Sequence, residues 1–378
     1  MKDSSAHPSS IAWIHIGDLH MDEADGWAAR PRLQAIVDEL NAHARAADFV
    51  YLPGDNANHA TPAQYAAITE ALGPLALPWR VIPGDHDFEG GSLAAYEAAF
   101  APAQRPEHEV IAGHRCIFVD VVGSGAGGPD FRLNSHHRHR IARQLALAEA
   151  AGEVPLVFMH CYPGDMAADG EALARLFADA RVPFVDTGHT HYNELLNDGA
   201  VVYGATRSTA QIEEGGGTPG FSVVCVHDGV PSWRFRPLGA CWPHVQIVAP
   251  CDLRLVTRAS QARQVPRPGV VRVVARRFGA ADAPMMAALD DAAPHPMRAG
   301  APGFWEIDLP VDAPGLHRID VSCGRAADSV EVLVRASDGV PRRGPLVAPG
   351  HACHAIGAWP VAGIDGLQLG PNRNGSDW

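Results

Sequence analysis

Five short segments of this chain combine aspartate and histidine at spacings that suit a metal centre. They are Asp18-Leu19-His20, Gly54-Asp55, Gly84-Asp85-His86-Asp87, a single His160, and Gly188-His189-Thr190-His191. Two residues apart in extended chain, Asp18 and His20 can point to the same side. A glycine before an aspartate lets the chain turn sharply and lets the backbone approach an ion closely. Asp18, Asp55 and Asp85 offer carboxylate oxygens, and His20, His160, His189 and His191 offer imidazole nitrogens. That mixture suits Mn or Fe, with Zn compatible; an all-oxygen set would suit Mg or Ca. One D-x-H arises by chance in many proteins, and each histidine alone reads as a residue bonded to backbone. The ordered series, each member directly after an apolar run, is much harder to reach by accident.

Those apolar runs are the elements that must position the series. The first 200 or so residues alternate β-branched or aromatic runs with Ala/Leu-rich amphipathic stretches, the pattern of βα units. Strands are expected at 11–16, 48–52, 79–82, 115–121, 154–159 and 183–187. Helices are expected at Arg32–Ala46, with Leu33, Ile36, Val37 and Leu40 on one face, and at Arg140–Ala151. Ligands in open α/β sheets collect at the carboxyl ends of strands, where these motifs fall.

After His191, AVVYGA, FSVVCVHDG and PSWRFRPL read as strands that complete a sheet. Residues 239–341 carry five further strand-like runs and read as an all-β sandwich of immunoglobulin-like type, with one short helical turn at Pro284–Leu289. The expected division is therefore 1–238, 239–341 and an irregular tail at 342–378.

The 378 residues, 47% of them hydrophobic, suffice for a sizeable core. A net charge of -13 and a pI near 5.8 leave no broad basic surface, which argues against a nucleic-acid or anionic-membrane partner. MKDSSAHPSS lacks the apolar core of a secretory signal, and no run reaches the roughly 18 apolar residues of a membrane span, so the expected location is cytoplasmic. Seven unpaired-looking cysteines read as reduced.

The motif series resembles the calcineurin-like metallophosphoesterases, whose pattern is D-x-H, G-D-x-x-[D/N], G-N-H-[D/E], an isolated H, and G-H-x-H. The resemblance covers residues 11 to about 236 and is nearest to the class III cyclic-nucleotide phosphodiesterase-like branch. It implies an α/β fold, a four-layer α/β/β/α sandwich of two sheets flanked by helices. It implies that Asp18, His20 and His191 hold one metal, that Asp85, His160 and His189 hold another, and that Asp55 bridges them. His86 would protonate the leaving oxygen, and Asp87 would orient His86. The activity implied is hydrolysis of a small phosphodiester by a metal-bridging hydroxide. A phosphomonoesterase, a nucleotide pyrophosphatase and a non-catalytic scaffold of the same fold are the alternatives.

Two positions depart from the pattern. Asp85 stands where asparagine is usual, adding a carboxylate that favours a monoanionic diester over a dianionic monoester. Asn58-His59 stands where many members carry Asp-Arg, so His59 is either a phosphate contact or a surface residue. Arg207, in GATRST, is a second candidate substrate contact. Gly123–Arg140, ending in NSHHRHR, reads as a lid or as the exposed start of a helix. Trp233 and Trp305 read as core, and His351, Cys353 and His354 lack a fourth ligand. The expected partner is a small phosphoester, with self-association left open.

Overall fold

A computed structural model describes residues 9–213, 216–336 and 356–365. Its first three strands, β1 (Ser10–His15), β2 (Phe49–Leu52) and β3 (Trp79–Val81), run parallel to one another. Period-two alternation decides what each face meets. Ile11 and Trp13 of β1 turn to one core, whereas Ala12 and Ile14 turn to another. The second core is made with α1 (Ala29–His43) and α2 (Pro62–Leu72), with help from α3 (Ala94–Ala99). Thr61 and Gln64 form a reciprocal capping box that fixes where α2 begins.

A second sheet follows, with strands β4 (His108–Ile111), β5 (His114–Val119), β6 (Val154–Met159), β7 (Phe184–Thr187), β8 (Glu194–Asn197) and β9 (Val202–Ala205), in order β4-β5-β6-β7-β9-β8. Its outer face packs on α4 (Ser135–Ala151) and α5 (Gly170–Asp179). Asn134 caps the start of α4, and Gly152, at φ 70°, ends it. β10 (Gly220–His227) and β11 (Val230–Pro237) return antiparallel to β1 and give the first sheet the order β11-β10-β1-β2-β3. Trp13, Phe49, Phe118, Phe158, Phe184 and Trp233 fill the space between the sheets. The layers are thus helices, sheet, sheet, helices, and every ligand motif leaves the carboxyl end of a strand.

The C-terminal region adds β12 (His244–Ala249), β13 (Gly269–Phe278), β14 (Met285–Leu289), β15 (His295–Pro296), β16 (Arg298–Ala299), β17 (Phe304–Val311), β18 (Gly315–Cys323) and β19 (Ala326–Val334). They form two four-stranded sheets, β12-β13-β17-β16 and β15-β14-β18-β19, around one apolar core that includes Val273, Ala287, Val321 and Val332. The short helical turn expected at Pro284–Leu289 is instead a strand. Met285–Leu289 pairs antiparallel with Leu289 opposite Ile319 and Met285 opposite Cys323, so sheet pairing overrides the helix-forming composition of MMAAL. Buried Arg234 of β11 binds Asp328 of β19 through two nitrogens, tying this region to the first. Within the tail, Trp359 is buried and lies under the guanidinium groups of Arg234 and Arg254. His351, Cys353 and His354 lie outside the described residues.

Candidate metal centre

Four of the seven candidate ligands sit on strained turns. His20, Asp55, His189 and His191 all have positive φ, between 43° and 69°, a region that non-glycine residues rarely occupy. Two glycines permit the close approach. A Cβ on Gly54 would lie 2.5 Å from His160 Nδ1, and one on Gly84 would collide with the Asp55 carboxylate.

The turns bring seven side chains together in two groups that share Asp55. Asp18, His20, Asp55 and His191 form one, and Asp55, Asp85, His160 and His189 form the other; within each, one ligand atom per residue lies inside 4.8 Å of the rest. Asp55 Oδ2 is 3.6 Å from His20 Nε2, while its Oδ1 is 3.4 Å from His160 Nε2. The carboxylate thus divides its two oxygens between the groups. In the first group, His20 Nε2 and His191 Nε2 approach to 2.8 Å, and Asp18 Oδ2 lies 3.8 Å from His191 Nε2. In the second, Asp85 Oδ1 lies 3.1 Å from His160 Nε2 and 3.3 Å from His189 Nδ1.

A cation fits this donor set. Two facing imidazole nitrogens satisfy one another poorly without something between them, and buried Asp18 Oδ1 has no hydrogen-bond partner. The outward nitrogens of two histidines are pinned, as ligating imidazoles require. His160 Nδ1 donates to the Pro53 carbonyl at 2.7 Å and His20 Nδ1 to Asn58 Oδ1 at 3.1 Å. Burial raises the Asp85 carboxyl, yet hydrogen bonds from His160 and His189 outweigh it and hold the group well below the ordinary range. Burial likewise pushes His191 down, to about 4, keeping it neutral and able to donate a lone pair.

His86 lies beside the centre, its ring 4.6 Å from that of His20. Its Nδ1 donates to the Asn58 carbonyl at 2.8 Å, which leaves Nε2 for another group. Burial lowers its pKa, but the Asp55 charge and the Asn58 carbonyl more than offset that, and the net shift is upward. Asp87 is not the residue that orients His86. Its fully buried carboxylate instead accepts from Gly84 N, Asn56 N and Nδ2, Ala57 N and Tyr65 Oη, stapling the turns that carry Asp55 and Asp85.

The two substrate-contact candidates fare differently. The Arg207 side chain is 5% exposed, stacks on Phe235, donates to the Thr218 carbonyl and lies 3.6 Å from Asp365. His59 is half exposed near the rim, bonded to Glu89 at 2.8 Å. Of the segment 123–140, Phe131 is buried with its ring 4.9 Å from that of His189, so this part forms a wall, while His136, His137 and His139 lie in the first turns of α4.

Asn58 is more than a departure from the motif pattern. Its carbonyl holds His86, its side-chain oxygen meets His20 and Gln211, and its amide donates to Asp22 at 2.8 Å. The motif position was the available signal. No motif marks His15 and Asp186, yet both are fully buried, 2.6 Å apart, and link the carboxyl ends of β1 and β7 between the sheets.

The helix-sheet-sheet-helix fold thus carries two candidate metal-binding groups of carboxylates and imidazoles that share one aspartate. The family model described as calcineurin-like phosphoesterase matches residues 13–193, and over that stretch the chain is similar to this family. Among curated proteins, it is similar to the 3',5'-cyclic adenosine monophosphate phosphodiesterase CpdA of Escherichia coli (strain K12), 25% identical over 131 residues, 34% of this chain and 46% of that protein. It is also similar to the cAMP/cGMP dual specificity phosphodiesterase MT0825 of Mycobacterium tuberculosis (strain CDC 1551 / Oshkosh), 27% identical over 218 residues, 50% of this chain and 65% of that one. The chain therefore spans less than two thirds of either relative. Among solved structures, a dimetal phosphatase from Danio rerio aligns with a TM-score of 0.47 at 12% identity, over 62% of this chain and all of that one. No helix among the described residues is long and apolar enough to cross a membrane.

Proposed function

We propose that this protein is a metal-dependent phosphodiesterase acting on a small, cyclic-nucleotide-like phosphodiester. The observation that carries the reading is the division of the Asp55 oxygens between two ligand groups, with His86 beside them. Asp18, His20 and His191 would hold one ion and Asp85, His160 and His189 the other, with Asp55 common to both. Mn or Fe suits these ligands best, and Zn is compatible. When bound, such a pair supplies Lewis acidity toward phosphoryl oxygen and water.

The protein's own groups do the rest. His86, fixed through Nδ1 by the Asn58 carbonyl, holds a proton at Nε2 for the departing oxygen. Asp87 keeps the Asp55 and Asp85 turns in register. Asp85 contributes a negative charge that an asparagine would not, which penalises a dianionic monoester more than a monoanionic diester. We assign residues 1–238 to the catalytic unit and 239–341 to a separate immunoglobulin-like sandwich that supports it, with 342–378 as its tail. The relatives' cyclic-nucleotide chemistry agrees with the diester reading.

The test compares bis-p-nitrophenyl phosphate with p-nitrophenyl phosphate, using metal-stripped protein before and after addition of Mn(II), followed by 3',5'-cyclic AMP. Manganese-dependent cleavage that favours the diester is expected. Turnover of the monoester clearly above that of the diester would sink the substrate assignment, and no turnover of any ester with metal bound would sink the enzymatic one.

A further inference from the structure

Residues 356–365 follow the last strand, yet they pack into the first half of the molecule. Ile356, Trp359, Ala362 and Ile364 are buried in the core between the first two sheets, in one cluster with Trp233 and Phe235. Trp359 and Ile364 exchange backbone hydrogen bonds of 2.8 and 3.1 Å across the 3-10 turn Pro360–Ala362, which closes the segment into a tight loop. The Ile356 amide fastens its other end to the Leu195 carbonyl at 3.1 Å. Gly363 leaves the turn at φ 82°, and a Cβ there would lie 2.7 Å from Cβ of Phe235. Its carbonyl is therefore held at a fixed place against β11.

One buried side chain joins that carbonyl to the first ligand group. Asn193 stands two residues after His191, and its Nδ2 donates to the Gly363 carbonyl at 2.9 Å. Its Oδ1 accepts from the Arg207 amide at 3.0 Å. Arg207 opens a three-residue brace. The Ser208 amide donates to the His191 carbonyl at 3.3 Å, and the Ser208 hydroxyl donates to the Asp18 carbonyl at 2.8 Å. The Thr209 amide reaches the same Asp18 carbonyl at 2.8 Å, and its hydroxyl reaches the Gly17 carbonyl at 2.9 Å. Little slack remains, because a Cβ on Gly17 would lie 2.1 Å from the Arg207 carbonyl oxygen. Asn193 thus ties the backbones that carry Asp18 and His191 to one C-terminal loop. The turns of Asp55 and Asp85 are held by Asp87 instead.

We propose that Asn193 is a positioning residue for the Asp18, His20 and His191 group, and that residues 356–365 are the strut on which it bears. The assignment rests on that group holding a metal ion. An amide that donates on one side and accepts on the other fixes two backbones relative to each other, and burial makes both bonds costly to leave unmade. Partners bonded directly to metal ligands change affinity by about 10–100-fold when removed, and Asn193, one step further back, should act near the lower end of that range.

The experiment is a Mn(II) titration of the metal-stripped full chain, followed by calorimetry and by the electron paramagnetic resonance signal of coupled manganese pairs. In Asn193→Leu, one equivalent should bind about tenfold more weakly while the other keeps its affinity; the coupled-pair signal should fall at limiting metal as a single-ion signal grows. Asn193→Ser serves if the leucine variant does not fold. Gly363→Ala, which leaves Asn193 intact and displaces the strut, should weaken the same equivalent. Val332→Ala, in the C-terminal core, should lower the urea midpoint without changing either affinity, which separates positioning from lost stability. His191→Ala should abolish one equivalent, and adding Asn193→Leu to it should leave the remaining one unchanged. Parental affinity for both equivalents in Asn193→Leu, or equal weakening of both, would overturn the inference alone. Parental affinity in Gly363→Ala would remove the strut from it. Unchanged loading in His191→Ala would overturn the ligand assignment beneath it.

Discussion

The two halves of this molecule are built on the same kind of strand yet bury different things. Between and around the first two sheets lie buried charged and polar groups: Asp18, His20, Asp55, Asp85, Asp87, His160 and the His15–Asp186 pair. The C-terminal core holds Val, Ala, Ile, Leu, Met and Cys, and the buried carboxylate of Asp328 at its edge faces Arg234 of the other half. Backbone strain follows the same divide. Four ligand residues have positive φ, whereas among the described non-glycine residues beyond 239 only Asp290, in a turn, does. Buried charge and strained backbone are costly, so their concentration on one side marks where stability has been traded for a site.

That contrast is broken most directly at Asp55. Because its two oxygens serve both ligand groups, Asp55→Ala should remove both metals and all measurable turnover, read by elemental analysis alongside the phosphodiester assay. Retention of one tightly bound equivalent would show that the groups are independent. The next largest effect belongs to His86→Gln. Loss of a general acid costs about 10²–10⁴-fold in turnover, while metal content should stay at two equivalents. A parallel fall in metal content would make His86 part of the ligand shell instead.

How far the sequence reveals this division depends on the range of the interaction concerned. Asp18, His20, Asp55 and Asp85 are legible because each directly follows a strand whose alternation is local, and the strand-end rule then supplies a common location. The C-terminal strands are legible by the same alternation, except Met285–Leu289, whose residues favour a helix and become strand only by pairing with β18. Arg207 and Asp87 show the other limit. Both carry a suggestive functional group at a suggestive place, but only the fold shows that Arg207 packs against Phe235 and that the Asp87 carboxylate accepts from five donors.

The seam between the halves gives the largest purely structural effect. Asp328→Ala would strand the Arg234 guanidinium in a site where its side chain is 3% exposed, and would remove the acceptor of the Ile247 amide. Breaking one partner of a buried pair costs about 3–5 kcal/mol, to be read from urea unfolding. Turnover per folded molecule should be unchanged. A loss of turnover at full folding would mean that the C-terminal region tunes the site rather than merely supporting it.

The smallest effects sharpen the comparison most, because one deletion can be made on both sides. Ile319→Val in the C-terminal core and Ile82→Val between the sheets each remove one buried methylene, from side chains that are 1% and 3% exposed. Each should cost about 0.5–1.5 kcal/mol of stability, with the urea m-value unchanged. Their consequences for chemistry should differ. Ile82 precedes Pro83-Gly84-Asp85, and its carbonyl accepts a 3.0 Å hydrogen bond from Asn56, next to Asp55. A shift of that backbone moves two ligand turns together, so Ile82→Val should lower turnover a few-fold where Ile319→Val leaves it alone. Equal turnover in the two variants would mean that the strained turns hold their geometry independently of the core beneath them, with the Asp87 hydrogen bonds sufficient to fix both carboxylates.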